Sequence, residues 1–161
     1  MMYPIKYEKE IAEIAPQYQM DPYLILAIIQ VETRFNEERI SKKGALGPMQ
    51  LMPETAEWII EQGRFSPHFI DYLSRPEVNI AMGSWYLSMI YQQLNQNLIA
   101  TIAAYNAGPG NVNKWISQNI WDGTLENITQ IPYGETRHYV QRVLFFYNRY
   151  KWIYEDKFLS T

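Results

Sequence analysis

Glu32 closes an apolar run, Leu24-Ile25-Leu26-Ala27-Ile28-Ile29-Gln30-Val31, and a short polar stretch then leads into Ser41-Lys42-Lys43-Gly44-Ala45-Leu46-Gly47-Pro48-Met49-Gln50-Leu51-Met52-Pro53-Glu54-Thr55-Ala56. A lone carboxylate at the end of an apolar helix, facing a glycine-bounded loop that carries an amide, is the arrangement expected of a general acid. Apolar surroundings disfavour its ionised form and so raise its pKa toward the range where it can protonate a leaving oxygen. Cleavage of a glycosidic bond needs that proton. Glu32 is therefore the candidate catalytic residue, against the bland reading that a glutamate at a helix end is simply solvated.

Other residues carry weaker signals. Ser41 and Gln50 have the donors and acceptors to bind a ligand, or merely to satisfy their own loop. Tyr105 and Asn106 precede Gly108, and an asparagine near such a glycine is a familiar helix stop. Met49 and Met52 suit the filling of core gaps. Glu135 stands at a helix start, where the helix dipole favours an acid in any case. His68 and His138 show no ligand spacing and cysteine is absent, so thiolate chemistry and Cys-based zinc sites are excluded, and neither metal nor cofactor is expected.

The elements that must position these residues are helical almost throughout, with no alternating strand pattern. A first helix is expected from Tyr7 to Ala15, Ile11 and Ile14 inward, ending before Pro16. The second starts cleanly, with Asp21 as N-cap and Pro22 in the first turn, and runs to Thr33; being apolar nearly all round, it should be buried. Pro53 opens another helix. A short one follows at Pro67 to Leu73, then a long one from Glu77 to Leu94 that buries Ile80, Gly83, Leu87 and Ile90. Leu98 to Asn106 is helical, Gly108-Pro109-Gly110 breaks the chain, Val112 to Ser117 is a short helix, and the last runs from Glu135 to Tyr154. In that helix Tyr139, Val143, Leu144, Phe146, Tyr147 and Tyr150 form a packing stripe, while Trp85, Trp115 and Trp121 are core or cleft-wall residues.

Composition bounds the class. At 161 residues, with 47% hydrophobic and 19% charged, the chain has enough apolar mass for a core without staples. The expected organisation is an all-α, single compact helical domain with at most a minimal β-hairpin: residues 1–20 an N-terminal helix and leader, 21–155 the catalytic domain, 156–161 a tail. A net charge of −3 with acids and bases interspersed shows no basic face, which argues against a nucleic-acid partner. An aromatic content of 15% is compatible with a carbohydrate cleft, since aromatic faces are platforms for sugar rings.

Four motifs in order, Glu32-Thr33-Arg34-Phe35, Ser41 to Ala56, Ala104-Tyr105-Asn106-Ala107-Gly108 and Pro132-Tyr133-Gly134-Glu135-Thr136-Arg137-His138-Tyr139-Val140, resemble those of lytic transglycosylases with the SLT catalytic domain, relatives of goose-type lysozyme. The resemblance covers roughly Asp21 to Tyr147. Thr33 stands where the family pattern has Ser and keeps the hydroxyl; Pro48 stands where it has Leu, stiffening the loop and removing one donor. The resemblance implies a lysozyme-like fold and peptidoglycan glycan strands as substrate. Glu32 would act as acid and then as base, while the muramic acid 6-hydroxyl attacks its own anomeric carbon and leaves a 1,6-anhydro ring. It further implies that Ser41, Met49, Gln50, Tyr105, Asn106, Tyr133 and Glu135 contact the saccharide. Tyr133 would bond the acid or the N-acetyl oxygen.

Two other classes stay open: a lysozyme-type hydrolase on the same substrate, and a non-catalytic wall-binding module. The substrate implies work outside the cytoplasmic membrane. The Pro4-Ile5-Lys6-Tyr7 opening resembles the stretch after the anchor in membrane-attached relatives, so an N-terminal anchor absent from this chain is expected; no run long enough to span a bilayer is present. A monomer is the default.

Overall fold

The computed structural model describes residues 5–155 and residue 158. The expected tail at 156–161 and the opening residues 1–4 therefore lie outside the described residues, Phe158 excepted. Seven α-helices and two 3-10 turns make up the described residues: α1 Glu8–Gln17, α2 Pro22–Thr33, α3 Pro53–Gly63, a turn at Pro67–Tyr72, α4 Pro76–Gln93, α5 Leu98–Ala107, α6 Pro109–Ser117, a turn at Ile128–Gln130, and α7 Gly134–Ile153. They fall into two compact units, the first drawn from the chain up to Tyr86 and from Phe146 onward, the second Leu87–Phe145. The residue 20/21 boundary separates neither, because α1 packs on α2 within the first.

In the first unit α2 begins as its sequence predicts. The Asp21 carboxylate accepts the Tyr23 N–H at 2.9 Å and Pro22 occupies the first turn, where its missing N–H costs nothing. Every residue from Tyr23 to Ile29 is buried, and each such aliphatic side chain contributes about 1.5–3 kcal/mol relative to exposure. The second oxygen of Asp21 accepts the Tyr147 hydroxyl at 2.6 Å, so one carboxylate both caps α2 and holds the end of α7. A second cluster joins Leu51, Ala56, Ile59, Leu73, Val78 and Met82.

Two helix boundaries differ from the sequence expectation by more than one residue, both at proline. Pro16 lies inside α1, which continues to Gln17. A proline in the last turn removes one N–H and still offers its carbonyl, which here accepts from Gln19. Likewise Pro109 does not extend the break after α5 but opens α6, leaving Gly108, at φ 93°, as the whole connection. In place of a hairpin there are isolated antiparallel bridges, Ile40 with Leu46 and Leu46 with Leu51, and no strand among the described residues.

In α4, Ile80, Gly83, Leu87 and Ile90 are buried, as their spacing predicts. In the second unit α5 packs on α6. Asn97 caps α5 through the Ala100 N–H at 3.0 Å and reaches the Gly123 carbonyl at 2.9 Å. Trp115 and Trp121 are buried, and the α7 stripe buries Tyr139, Val143 and Tyr150 while Leu144, Phe146 and Tyr147 are half-buried.

Candidate active site

Glu32 sits half-buried in the last turn of α2. The helix stops just beyond it because Arg34 and Phe35 both turn left-handed, at φ 53° and 64°. Two such non-glycine residues in succession cost roughly 1–2 kcal/mol each. Burial of the Phe35 ring offsets this, and its carbonyl accepts the Tyr7 hydroxyl at 3.4 Å. Tyr7 is itself pushed up to about 12 by burial and by the carboxylate of Glu37, to which its hydroxyl also donates.

The residue after Glu32 ties the helix to the glycine-bounded loop. Thr33 is 1% exposed, and its hydroxyl lies 3.1 Å from the Ile29 carbonyl and 2.9 Å from that of Pro48. The Pro48 N–H that proline lacks is not needed; its carbonyl is what the site uses. This bond brings the helix end that carries Glu32 to the loop that carries Gln50.

The loop turns on Gly47, at φ +77°, and is closed by paired bonds between Leu46 and Leu51, 2.9 Å in each direction. Its framework comes from α4. The amide of Asn79, fully buried, donates to the Leu46 carbonyl at 2.9 Å and the Leu73 carbonyl at 2.7 Å, while its oxygen accepts the Met49 N–H at 2.7 Å. A β-carbon at residue 47 would come within 2.2 Å of the Asn79 nitrogen, so glycine is required there by both space and backbone. Sequence reasoning missed Asn79, and missed what the Thr33 hydroxyl does.

The expected ligand residues of this loop are engaged within it. Ser41 accepts the Ala45 N–H at 2.9 Å, and the Gln50 amide donates to the carbonyls of Arg39 at 2.9 Å and Gly47 at 3.0 Å. Both side chains are half-buried, and the Gln50 oxygen is left to accept from a ligand. Met49 is fully buried, with Gly83 of α4 making room for its thioether. That position shapes the loop from beneath and gives a sugar ring no surface to touch, which corrects the direct contact expected of Met49.

In the second unit the other candidates gather at the end of α5 and the start of α7. Asn106 is not the helix stop; Gly108 is. Instead the Asn106 oxygen accepts the hydroxyl of the buried Thr136 at 2.8 Å, joining Asn106 to the residue beside Glu135. Thr136 is a third residue whose part the sequence did not reveal. Tyr133 is half exposed, its ring held edge-on by Trp115 with centroids 5.1 Å apart. Tyr105 is half-buried on α5 and Glu135 is exposed in the first turn of α7. Among the described residues no group of three or more His, Asp or Glu is placed to hold a metal ion.

The sequence model of the transglycosylase SLT domain matches residues 9–128. The soluble lytic murein transglycosylase of Escherichia coli (strain K12) is 34% identical over 162 residues, covering 96% of this chain and 24% of that protein. The membrane-bound lytic murein transglycosylase C of Edwardsiella ictaluri is 31% identical over 159 residues, 86% of this chain and 44% of that protein. An inactive glutamate-to-glutamine mutant of lytic transglycosylase Slt from Pseudomonas aeruginosa has a TM-score of 0.85 at 33% identity, covering 95% of this chain and 25% of that one. The chain thus spans less than half the length of these relatives, and the resemblance read from its four motifs holds. With its mostly helical fold and its matched span, the chain belongs to the transglycosylase SLT domain family.

Proposed function

We propose that the chain is a peptidoglycan lytic transglycosylase, cleaving the β-1,4 bond between N-acetylmuramic acid and N-acetylglucosamine. Glu32 protonates the leaving oxygen as the C1–O4 bond breaks. The muramic acid 6-hydroxyl then attacks C1 and gives its proton to the same carboxylate, so the 1,6-anhydro ring forms without water and Glu32 returns to its starting state. Ordinary glycosidases need a second carboxylate, as base or as nucleophile; here the substrate's own 6-hydroxyl is the nucleophile and one carboxylate serves as acid and then as base.

The observation that carries this reading is the half-buried Glu32 at the end of α2, with Thr33 fastening the Gln50 loop beside it. Relatives named for murein cleavage support it, as does an inactive relative in which a glutamate is replaced by glutamine. Ser41, Gln50, Tyr105, Asn106, Tyr133 and Glu135 contact the saccharide in this reading, with Tyr133 stabilising the oxocarbenium-like state. The place of work is the cell wall, where relatives act in soluble and membrane-bound forms. No described helix is long and apolar enough to cross a membrane.

Mass spectrometry of the muropeptides released from purified peptidoglycan tests it. Anhydro-muramyl products, one water lighter than hydrolysed ones and absent with Glu32→Gln, are the expected result. Reducing ends would make the chain a lysozyme-type hydrolase, and turnover unchanged in Glu32→Gln would remove Glu32 as the acid.

A further inference from the structure

In the second unit the bond between Thr136 and Asn106 has a direction, and that direction decides which end of the Asn106 amide is free. Thr136 lies in the first turn of α7, and its hydroxyl is 2.8 Å from the Asn106 oxygen in the last turn of α5. Tyr139 and Val140, one turn further along α7 and buried, fix the backbone from which Thr136 reaches across. The hydroxyl proton has no other acceptor among the described residues. At 1% exposure the side chain is also closed to water, so the proton goes to Asn106; withholding it would leave a buried donor unmet. The amide oxygen is thus taken up from inside the fold. Both hydrogens of the amide nitrogen are left without a partner among the described residues, on a side chain that is only half-buried.

An unsupported asparagine presents either end of its amide to a ligand; this one presents donors alone. We infer that Thr136 is a positioning residue for the proposed cleavage: it does not meet the saccharide, but holds the Asn106 amide with its N–H groups toward an acceptor oxygen of the glycan strand. The inference rests on the proposed contact between Asn106 and the saccharide. Acetamido carbonyls and hydroxyls of the strand are such acceptors. A carboxylate in place of the amide would turn a second acceptor toward them and repel.

The experiment measures kcat/KM on soluble glycan strands, by release of muropeptides, for Thr136→Val, Thr136→Ser, Asn106→Ala, Asn106→Asp and Asn106→Ala/Thr136→Val, with Tm beside each. Valine keeps the volume and loses the hydroxyl, and is expected to lose about tenfold, the worth of one hydrogen bond. Serine keeps the hydroxyl and loses a buried methyl, and is expected to stay within about twofold although its Tm falls. In the Asn106→Ala chain the valine should cost less than about twofold more, since Thr136 then has no amide to hold. Asn106→Asp should lose at least as much as Asn106→Ala. No loss with valine, equal losses with valine and serine, a valine loss undiminished in the Asn106→Ala chain, or an active Asn106→Asp each overturn the inference. Absence of turnover by the unsubstituted chain overturns the enzymatic reading instead. The three-bond NMR couplings that report the Asn106 χ1 rotamer then decide the geometry: one rotamer in the unsubstituted and Thr136→Ser chains with averaging in Thr136→Val supports it, and one rotamer in all three overturns it.

Discussion

The Thr33 hydroxyl and the Pro48 carbonyl are 2.9 Å apart, and the one proton of that hydroxyl also faces the Ile29 carbonyl at 3.1 Å. The bond is buried and links residue 33, next to the proposed acid, to the loop that carries Gln50. Thr33→Ser keeps the hydroxyl and is expected to change stability by less than about 1 kcal/mol. Thr33→Val leaves the buried Pro48 carbonyl unsatisfied, at a cost of about 1–3 kcal/mol in urea unfolding. It should also slow peptidoglycan turnover about tenfold or more, since small misplacements of a reacting group are costly.

Asn79 makes three bonds from inside α4, to the backbone of Met49, Leu46 and Leu73. Asn79→Asp keeps the shape but has no N–H to give the carbonyls of Leu46 and Leu73. It is expected to destabilise by roughly 3 kcal/mol or more, two buried acceptors being orphaned at about 1–3 kcal/mol each. Equilibrium denaturation of Asn79→Asp beside Asn79→Ala measures this, and a loss under 1 kcal/mol would sink the account of how the loop is held.

Gly83→Ala sets two effects against each other. Alanine gains up to about 1 kcal/mol in helix propensity, but its β-carbon would stand 2.5 Å from the Met49 sulfur and 3.1 Å from the Met49 β-carbon. Met49 is fully buried and has little room to retreat, so overpacking should win by about 1–3 kcal/mol. Met49→Ala in the same chain should recover part of that loss, visible as non-additivity in a double-mutant cycle.

Asp122 organises the turn over Trp121. Its oxygens accept the Thr124 hydroxyl at 2.7 Å, the Thr124 N–H at 3.0 Å and the Asn127 amide at 2.6 Å, and these bonds hold its carboxyl below the ordinary value of 3.8. A depressed carboxyl pKa contributes stability that is present above the unfolded value and is lost as pH falls through the folded one. Asp122→Asn should therefore lower Tm at neutral pH, with the difference from the unsubstituted chain closing at pH values below 3.8. A Tm difference independent of pH would show that the charge is not what holds the turn.

What the sequence disclosed was what repeats or caps. The burial of α2 follows from its unbroken apolar run, and its start from Asp21-Pro22, whose capping bond is present. Pro16 and Pro109 misled because a proline tolerated in a last or first turn looks the same in sequence as one that ends a helix. The motif around Glu32 and Gln50 was legible as chemistry, but the loop's support was not. Asn79 reaches it from thirty residues further along, and a side chain bonding backbone carbonyls leaves no periodic trace. Met49 shows the converse: a residue inside a motif reads as a ligand contact, although burial against Gly83 assigns it to packing.

The Asn79 nitrogen occupies the space where any side chain at residue 47 would begin, with the Leu73 carbonyl closing the other side at 2.6 Å. Descendants of this chain that drift one residue at a time are thereby confined: residue 47 has no neighbouring state to enter, and residue 79 cannot shrink without stranding the groups it binds. Diversity in this family member must arise where the loop faces outward, at Lys42 and Lys43, while its inner geometry passes on unchanged or is lost whole.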